Sequence, residues 1–465
     1  MSLDKINAAI AAEGGKPYYV GGCVRDELMD LSPSDYDVEV FQMEPERLKS
    51  ILSRFGGINE VGKSFGVLIL TLEDGTKTEF TIPRRENKEG RGHKGFLVRL
   101  DPSMTVAETA TRRDFTINAI YKDAVGENRR LHDPLKGVAD LNVGRLHPAG
   151  PKFGEDPLRV LRGMQFAGRF RMWPSVDCQA ACLSVLDEYA SLPKERVWAE
   201  WYKWSTLSAR PSMGIAFLGL CGWLDHYPQI KAMFNVPQNP VWHPEGDVYT
   251  HVMHVCDAAA TIADREGVTG EDRAVLMFAA LCHDMGKPST TCLKDFGRPD
   301  EWRSPGHDQE GVPIARQFLE SIGCLERIIV RVLPLIREHM FPVWTPINRR
   351  MVRRLRLRLE PATLDELLLI MEADHSGRPP LPKGLPSGAS KLIELNEELP
   401  PKIEPVVTGR HIMELGVTDG KTIGAIKREV FEAQLEEAFD ASNQAEALAY
   451  ASKLIAEKYS HAIIL

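Results

Sequence analysis

The sequence predicts an α+β chain: a small mixed sheet with helices at the front, followed by mostly α-helical segments. Three observations carry that prediction. Residues 1–150 alternate short strand-like runs with helical ones. From about residue 155 onward, apolar side chains recur at helical spacing, as in AGRFRMWPS and the tryptophan-rich RVWAEWYKW. Proline and glycine interrupt the chain at 228–247 and at 378–405, and its 465 residues are more than one hydrophobic core usually serves. The segmentation that follows is a head at 1–150, a neck at 151–235, a middle helical domain at 236–385 and a tail at 386–465.

Bulk composition narrows the class. The chain is 43% hydrophobic and 26% charged, and no apolar run approaches the roughly 20 residues that span a bilayer. Its start lacks a basic leader followed by an apolar stretch, so no signal peptide is expected. Eight cysteines occur without a CxxC pair or a regular framework, which fits a reducing cytoplasm better than a disulfide scaffold. The net charge of −8 disfavours a protein coated in nucleic acid, but local basic clusters at 83–94 and 348–358 could still meet phosphates. Solvated loop and helix faces are the plainer reading of both.

In the head, KPYYV reads as a strand, the following GG as a tight turn, and VRDELMDL as a helix. YDVEVF then alternates like a strand, and GVLILTL, the turn EDG and TKTEFTI read together as a hairpin. Asp35 and Asp37 stand at alternate positions where the second strand opens, which would aim both carboxylates at one face. Paired carboxylates repel each other unless a hard cation lies between them, an arrangement suited to magnesium. Glu79, in the neighbouring strand, is the candidate third acid. Two such ions could activate a ribose hydroxyl and stabilise a leaving pyrophosphate. The GG turn ahead of a helix could receive a triphosphate on its backbone N–H groups, with Arg25 adding charge.

Three blocks, VGGCVRDELMDLSPSDYDVEVF, TRRDFTINAI at 111–120 and FGEDPLRVLRGMQFAGRF at 153–170, resemble the class II tRNA nucleotidyltransferase and poly(A) polymerase family of the DNA polymerase beta-like superfamily. The resemblance implies a polymerase beta-like head in which Asp35 and Asp37 hold catalytic Mg2+ and Gly22, Arg25 and Arg113 contact the nucleotide. It further implies that Asp156 and Arg159, three apart on a predicted helix, choose CTP and ATP by pairing with base edges. Arg162 continues that face, and Gln165 stands where many relatives carry another arginine. An i,i+3 surface ion pair is the structural alternative for Asp156 and Arg159.

Farther on, EGDVYTHVMHV, AALCHDMGK, SPGHDQEG, REHM and EADHSG distribute histidines and aspartates over helices. His251, His283, Asp284 and Asp374 form an H…HD…D order suited to a divalent metal. That order resembles the HD superfamily of metal phosphohydrolases, which implies phosphatase or 2′,3′-cyclic phosphodiesterase activity; His307 and His339 could hold a second metal or a phosphate. The tail resembles the part of the family that grips tRNA, with Arg410, Lys421 and Lys427 as phosphate contacts, although a helical packing module fits it equally. The expected activity is CCA addition to tRNA 3′ ends from CTP and ATP. A poly(A) polymerase, a CC-only or A-only enzyme, and a metal phosphohydrolase with an RNA-binding head remain alternatives.

Overall fold

The computed structural model describes residues 2–33, 35–61, 66–72, 75, 77–88, 96–294, 301–400 and 402–462. The head is built on a seven-stranded sheet. Its strands are β1 (Lys16–Val20), β2 (Asp37–Phe41), β3 (Gly57–Val61), β4 (Val67–Thr71), β5 (Lys77–Thr81), β8 (Tyr121–Asp123) and β9 (Leu131–His132), while β6 (Arg84–Lys88) and β7 (Phe96–Leu100) form a separate hairpin. The order across the large sheet is β3-β4-β5-β2-β1-β8-β9. It is mixed: β2 runs parallel to β5 and antiparallel to β1.

Alternation produces this layer. Val38 and Val40 of β2 and Phe80 of β5 are fully buried. They pack against α1 (Leu3–Ala12) and α3 (Pro45–Leu52), which bury Ile6, Ile10, Leu48 and Ile51. The opposite phase of β2 and β5 carries Asp37, Glu39 and Glu79, because side chains two apart on a strand share a face. The helix between β1 and β2 is α2 (Gly22–Leu28). β4 and β5 pair antiparallel as expected, while residues 73–74 of the EDG turn lie outside the described residues.

Neck and middle segments share one hydrophobic core, running from Phe115 through Trp201, Trp204 and Phe278 to Leu399. The tryptophans at 201 and 204 are fully buried core, as their spacing indicates. The elements needed below are α4 (Leu158–Phe170), α5 (Lys194–Leu207), α6 (Pro211–Leu220), α7 (Val248–Glu266), α8 (Gly270–Cys282), α9 (His307–Ser321), α10 (Glu326–Glu338), α11 (Arg349–Leu359) and α12 (Leu364–Ser376). The tail has its own small core around Ile412, Ile426 and Val430, formed with α13 (Gly420–Leu435) and α14 (Gln444–Lys458). All eight cysteines are free thiols. Among the described residues, no helix is long and apolar enough to cross a membrane.

Candidate functional site

In the head, β2 and β5 lie in a register that sets Asp37 directly beside Glu79. Asp35 precedes β2 and is exposed, so it belongs to the approach to the strand and not to the strand itself. Burial first, then the Asp35 and Glu39 charges, push the Asp37 carboxyl up against the opposing pull of Arg113. Glu79 is likewise raised, by burial and then by Asp37 and Asp35. Mutual repulsion of three carboxyls is what a divalent cation relieves, and the all-oxygen donor set suits magnesium.

The glycine turn meets this acid face through Gly21. Its φ of +81° is open to glycine at little cost, and a Cβ there would come within 3.2 Å of Arg113 Nη1 and 3.3 Å of Asp37 Oδ2. The sequence reading named Gly22, whose Cβ would approach only Arg25. Arg113 donates to Glu39 Oε2 and to the Tyr121 hydroxyl, both at 3.4 Å, and Tyr121 donates to the same Glu39 oxygen at 2.8 Å. Glu39 and Tyr121 went unnamed in the sequence; the signal for Glu39 was present, since it continues the alternation that singled out Asp35 and Asp37.

Arg25 points away from solvent. It is 4% exposed, donates to Asp26 at 2.6 and 2.9 Å and to Asn118 Oδ1 at 2.7 Å, and lies over the ring of Phe170. The chain continues: Asn118 donates to Asp114 Oδ1 at 3.0 Å, and Arg162 donates to Asp114 Oδ2 at 2.7 Å. The glycine turn and α4 are thereby linked through Arg25, Asn118, Asp114 and Arg162.

Asp156 corrects the sequence reading, because it is not on the helix. Pro157 occupies the cap of α4 and forces the preceding residue into extended conformation, φ −125° and ψ 101°. Asp156 instead caps the helix by accepting from Leu158 N at 3.1 Å, and it accepts from Arg196 of α5 at 2.8 Å. No Asp156–Arg159 hydrogen bond forms: Arg159 donates to the backbone carbonyls of Lys152 and Arg112 at 2.7 and 2.6 Å. Gln165 is 2% exposed, and its Oε1 has no hydrogen-bond partner.

The middle segment gathers every histidine and aspartate of the predicted set. His251 from α7, His283 and Asp284 following α8, and Asp374 from α12 converge, joined by His307 of α9 and by His339 just after α10. Gly286 makes the convergence possible: a Cβ there would sit 2.1 Å from His307 O, so glycine lets the HDMG turn touch α9. His283, His307 and His339 present Nδ1 to the carbonyls of Ala280, Ser304 and Ile336 at 2.9, 2.8 and 2.6 Å. Donation there leaves the Nε2 lone pair for a ligand.

Asp284 sits at the centre. Its Oδ2 lies 3.2 Å from His283 Nε2 and 3.7 Å from His251 Nε2, and its Oδ1 lies 3.3 Å from His307 Nε2 and 4.0 Å from His339 Nε2. Asp374 Oδ1 is 3.0 Å from His251 Nε2. Lys287 Nζ is 2.7 Å from Asp284 Oδ2 and donates to Gln238 at 2.8 Å. Both Asp284 oxygens and His283 Nε2 are buried without a well-directed hydrogen bond. That orphaned set of N and O donors is what one or two divalent metals would satisfy. Burial pushes His339 down to about 3, with His307 and His283 adding to the effect, so it offers a neutral nitrogen. Asp284 and Asp374 are held well below the carboxylate range by the surrounding histidines despite their burial.

The basic clusters fare differently. Arg350, Arg353, Arg354 and Arg358 of α11 are engaged by Glu436, Glu437, Glu432 and Glu338. In the other cluster Arg85 pairs with Asp101, and residues 89–94 lie outside the described residues. Arg410, Lys421 and Lys427 are exposed in the tail, and Arg410 pairs with Glu414.

Residues 17–147 match the poly A polymerase head domain family and residues 248–377 the HD domain family. The chain is 35% identical over 376 residues to the multifunctional CCA protein of Nitrosospira multiformis, covering 78% of this chain and 84% of that one. It is 34% identical to the protein of the same name from Vibrio vulnificus, covering 78% and 85%. Among solved structures, the Bacillus stearothermophilus CCA-adding enzyme in complex with CTP superposes with a TM-score of 0.67 at 18% identity, covering 99% of this chain and 100% of that chain. The Thermotoga maritima CCA-adding enzyme complexed with tRNA gives 0.57 at 16% identity, covering 97% and 94%. These two show a shared fold.

Proposed function

The chain belongs to the multifunctional CCA protein family, and from that premise we propose that it adds C, C and A to tRNA 3′ ends from CTP and ATP by nucleotidyl transfer. The observation that carries this reading is the acid face of β2 and β5 beside the Gly21 turn. Asp35, Asp37 and Glu79 would hold Mg2+, which supplies charge for the attacking hydroxyl and the leaving pyrophosphate. Gly21 and Gly22 leave room for the triphosphate. Arg113, oriented by Glu39 and Tyr121, puts a cation against it.

Asp156, Arg159 and Arg162 would offer an acceptor and two guanidinium forks to the base edges of CTP and ATP. Their present partners, Arg196, two backbone carbonyls and Asp114, hold them in place without exhausting their donors and acceptors. In this scheme Arg25 supports the nucleotide site from behind by fixing Asn118. Arg410, Lys421 and Lys427 would meet tRNA phosphates in the tail.

The test uses the purified chain with tRNA transcripts ending before CCA or after CC, and with an RNA lacking the tRNA fold, given each nucleotide singly and mixed. Completion of CCA on the tRNA alone is expected, and Asp35→Ala should abolish it without lowering the unfolding temperature. Long oligo(A) tails on any RNA would replace this reading with poly(A) polymerase.

A second activity is supported by the His/Asp centre. His251, His283, Asp284 and Asp374 would hold one divalent metal, with Asp284, His307 and His339 offering a second position; the metal would activate water against a phosphoester. Lys287 stands ready to pair with the phosphate. Hydrolysis of a generic phosphomonoester or a 2′,3′-cyclic nucleotide with added Mn2+ or Ni2+ should be lost, together with bound metal, in His283→Ala and Asp284→Ala. Inactivity across several metals would remove it.

A further inference from the structure

The two metal positions of the His/Asp centre have different surroundings on their outer sides. At the second position, His307 and His339 present Nδ1 to neutral backbone carbonyls. His283 of the first position does the same. His251 alone is backed by an anion: Glu245 Oε1 lies 2.7 Å from its Nδ1, off the line of an ideal hydrogen bond but well within ion-pair distance. Glu245 has a fully buried side chain, reaches the site from the loop ahead of α7, and accepts from His243 Nδ1 at 2.9 Å on the same oxygen. Its other oxygen is buried and without a partner. The His243 ring packs edge-on against His251 at 4.7 Å, so Glu245 and His243 form a wedge behind one imidazole.

We propose that Glu245 is a positioning residue that makes the first metal position, at His251, His283 and Asp374, tighter than the second, so that the two fill in sequence. The inference rests on reading the centre as a metal site. A carboxylate against Nδ1 holds the proton on that nitrogen and raises the donor strength of Nε2, an outer contact whose loss typically lowers metal affinity about 10–100-fold. Charge on the inner side acts in the same direction. The first position has Asp374 to itself and faces Asp284 Oδ2, whereas the second faces only Asp284 Oδ1. Lys287 opposes this at Oδ2, yet it already has Gln238 as an alternative partner when a cation arrives. Glu245 lies at the Nδ1 edge of the ring, opposite Asp374 and Asp284, and therefore acts through His251 and not as a ligand to the same ion.

The experiment is a Ni2+ titration of the full-length, chelator-stripped protein carrying Asp35→Ala and Asp37→Ala, which keeps the head from contributing sites. Two classes of unequal affinity are expected. Glu245→Gln should weaken the tight class about 10–100-fold and leave the weak class within about threefold, while His339→Ala should remove the weak class alone. His243→Ala keeps the carboxylate and removes its other partner, and should leave the tight class intact whether or not the glutamine variant folds well. An unchanged tight class in Glu245→Gln, equal weakening of both classes, or loss of the tight class in His243→Ala would each overturn the proposal. No Ni2+ binding before Glu245 is altered would overturn the metal-centre reading itself, a result distinct from the other three.

Discussion

At the scale of single residues, Gly21 concentrates the most constraint. Its φ of +81° combined with ψ of −134° is a region that side chains avoid, and a methyl there would press on both Arg113 and Asp37. Gly21→Ala should therefore lower the single-turnover rate of nucleotide incorporation about 100-fold, since small misplacements at a reacting centre cost that much. A rate within threefold of the parent would show that the turn does not set the geometry of the acid face. Gln165 makes the opposite case. Its buried, unpartnered Oε1 represents about 1–3 kcal/mol of unrecovered desolvation, so Gln165→Met should raise the unfolding temperature and leave the relative use of CTP and ATP unchanged; a shifted nucleotide preference would return Gln165 to the site. Burial explains what the sequence showed here and what it hid. The alternation of acids in DYDVEV pointed to the face that Asp37, Glu39 and Glu79 share, but which of two adjacent glycines meets that face depends on a backbone angle that composition does not encode.

Between elements, the decisive feature is the link from α2 through Asn118 and Asp114 to α4. Asp114 is almost fully buried, and although burial alone would raise it, the Arg162 charge and hydrogen bonds from Asn118 and Phe115 N bring it down to about 2. A carboxyl depressed in the folded state stabilises the protein above its unfolded value, near 3.9, and loses that contribution as pH falls through the folded value. The shift corresponds to roughly 2–3 kcal/mol. Asp114→Asn should thus destabilise the chain at neutral pH and flatten the fall in stability between about pH 4 and pH 2, read by denaturant unfolding at stepped pH; an unchanged acid slope would place the shift elsewhere. Element scale is also where the sequence misled. The spacing of Asp156 and Arg159 implied one helical face, yet Pro157 ends that possibility by holding Asp156 extended. The H…HD…D order was legible because His251 and Asp374 lie within apolar helices and the His283-Asp284 pair directly follows one. Glu245 and His243 were not, since they come from the loop ahead of α7 and only the folded chain brings them behind His251.

For the whole molecule, the arginine row of α11 changes meaning once its partners are known. A run such as NRRMVRRLRLR could meet RNA phosphates, but Arg350, Arg353 and Arg354 are turned to Glu432, Glu436 and Glu437 at the end of α13 and so hold the tail against the middle segment. Within the tail, Gln434 ties α13 to the preceding segment, donating to Glu404 O at 2.8 Å and accepting from Val406 N at 3.0 Å. Leu392, Leu395 and Leu399 belong to the core of the middle segment, and the tail has its own core only from Val407 onward, so polar contacts carry much of the docking of α13. Each exposed pair contributes only about 0.2–1 kcal/mol, but several sharing three glutamates sum to about 2 kcal/mol. Replacing all three, in Glu432→Gln/Glu436→Gln/Glu437→Gln, should release the tail without unfolding it. Proteolysis in the exposed connection around 402–405 should then accelerate about thirtyfold, the factor that corresponds to about 2 kcal/mol. Raising salt to about 1 M shortens the screening length to about 3 Å and should reproduce the effect in the unaltered chain. Equal cleavage rates in the two proteins at low salt would mean that apolar contact, and not the arginine row, holds the tail in place.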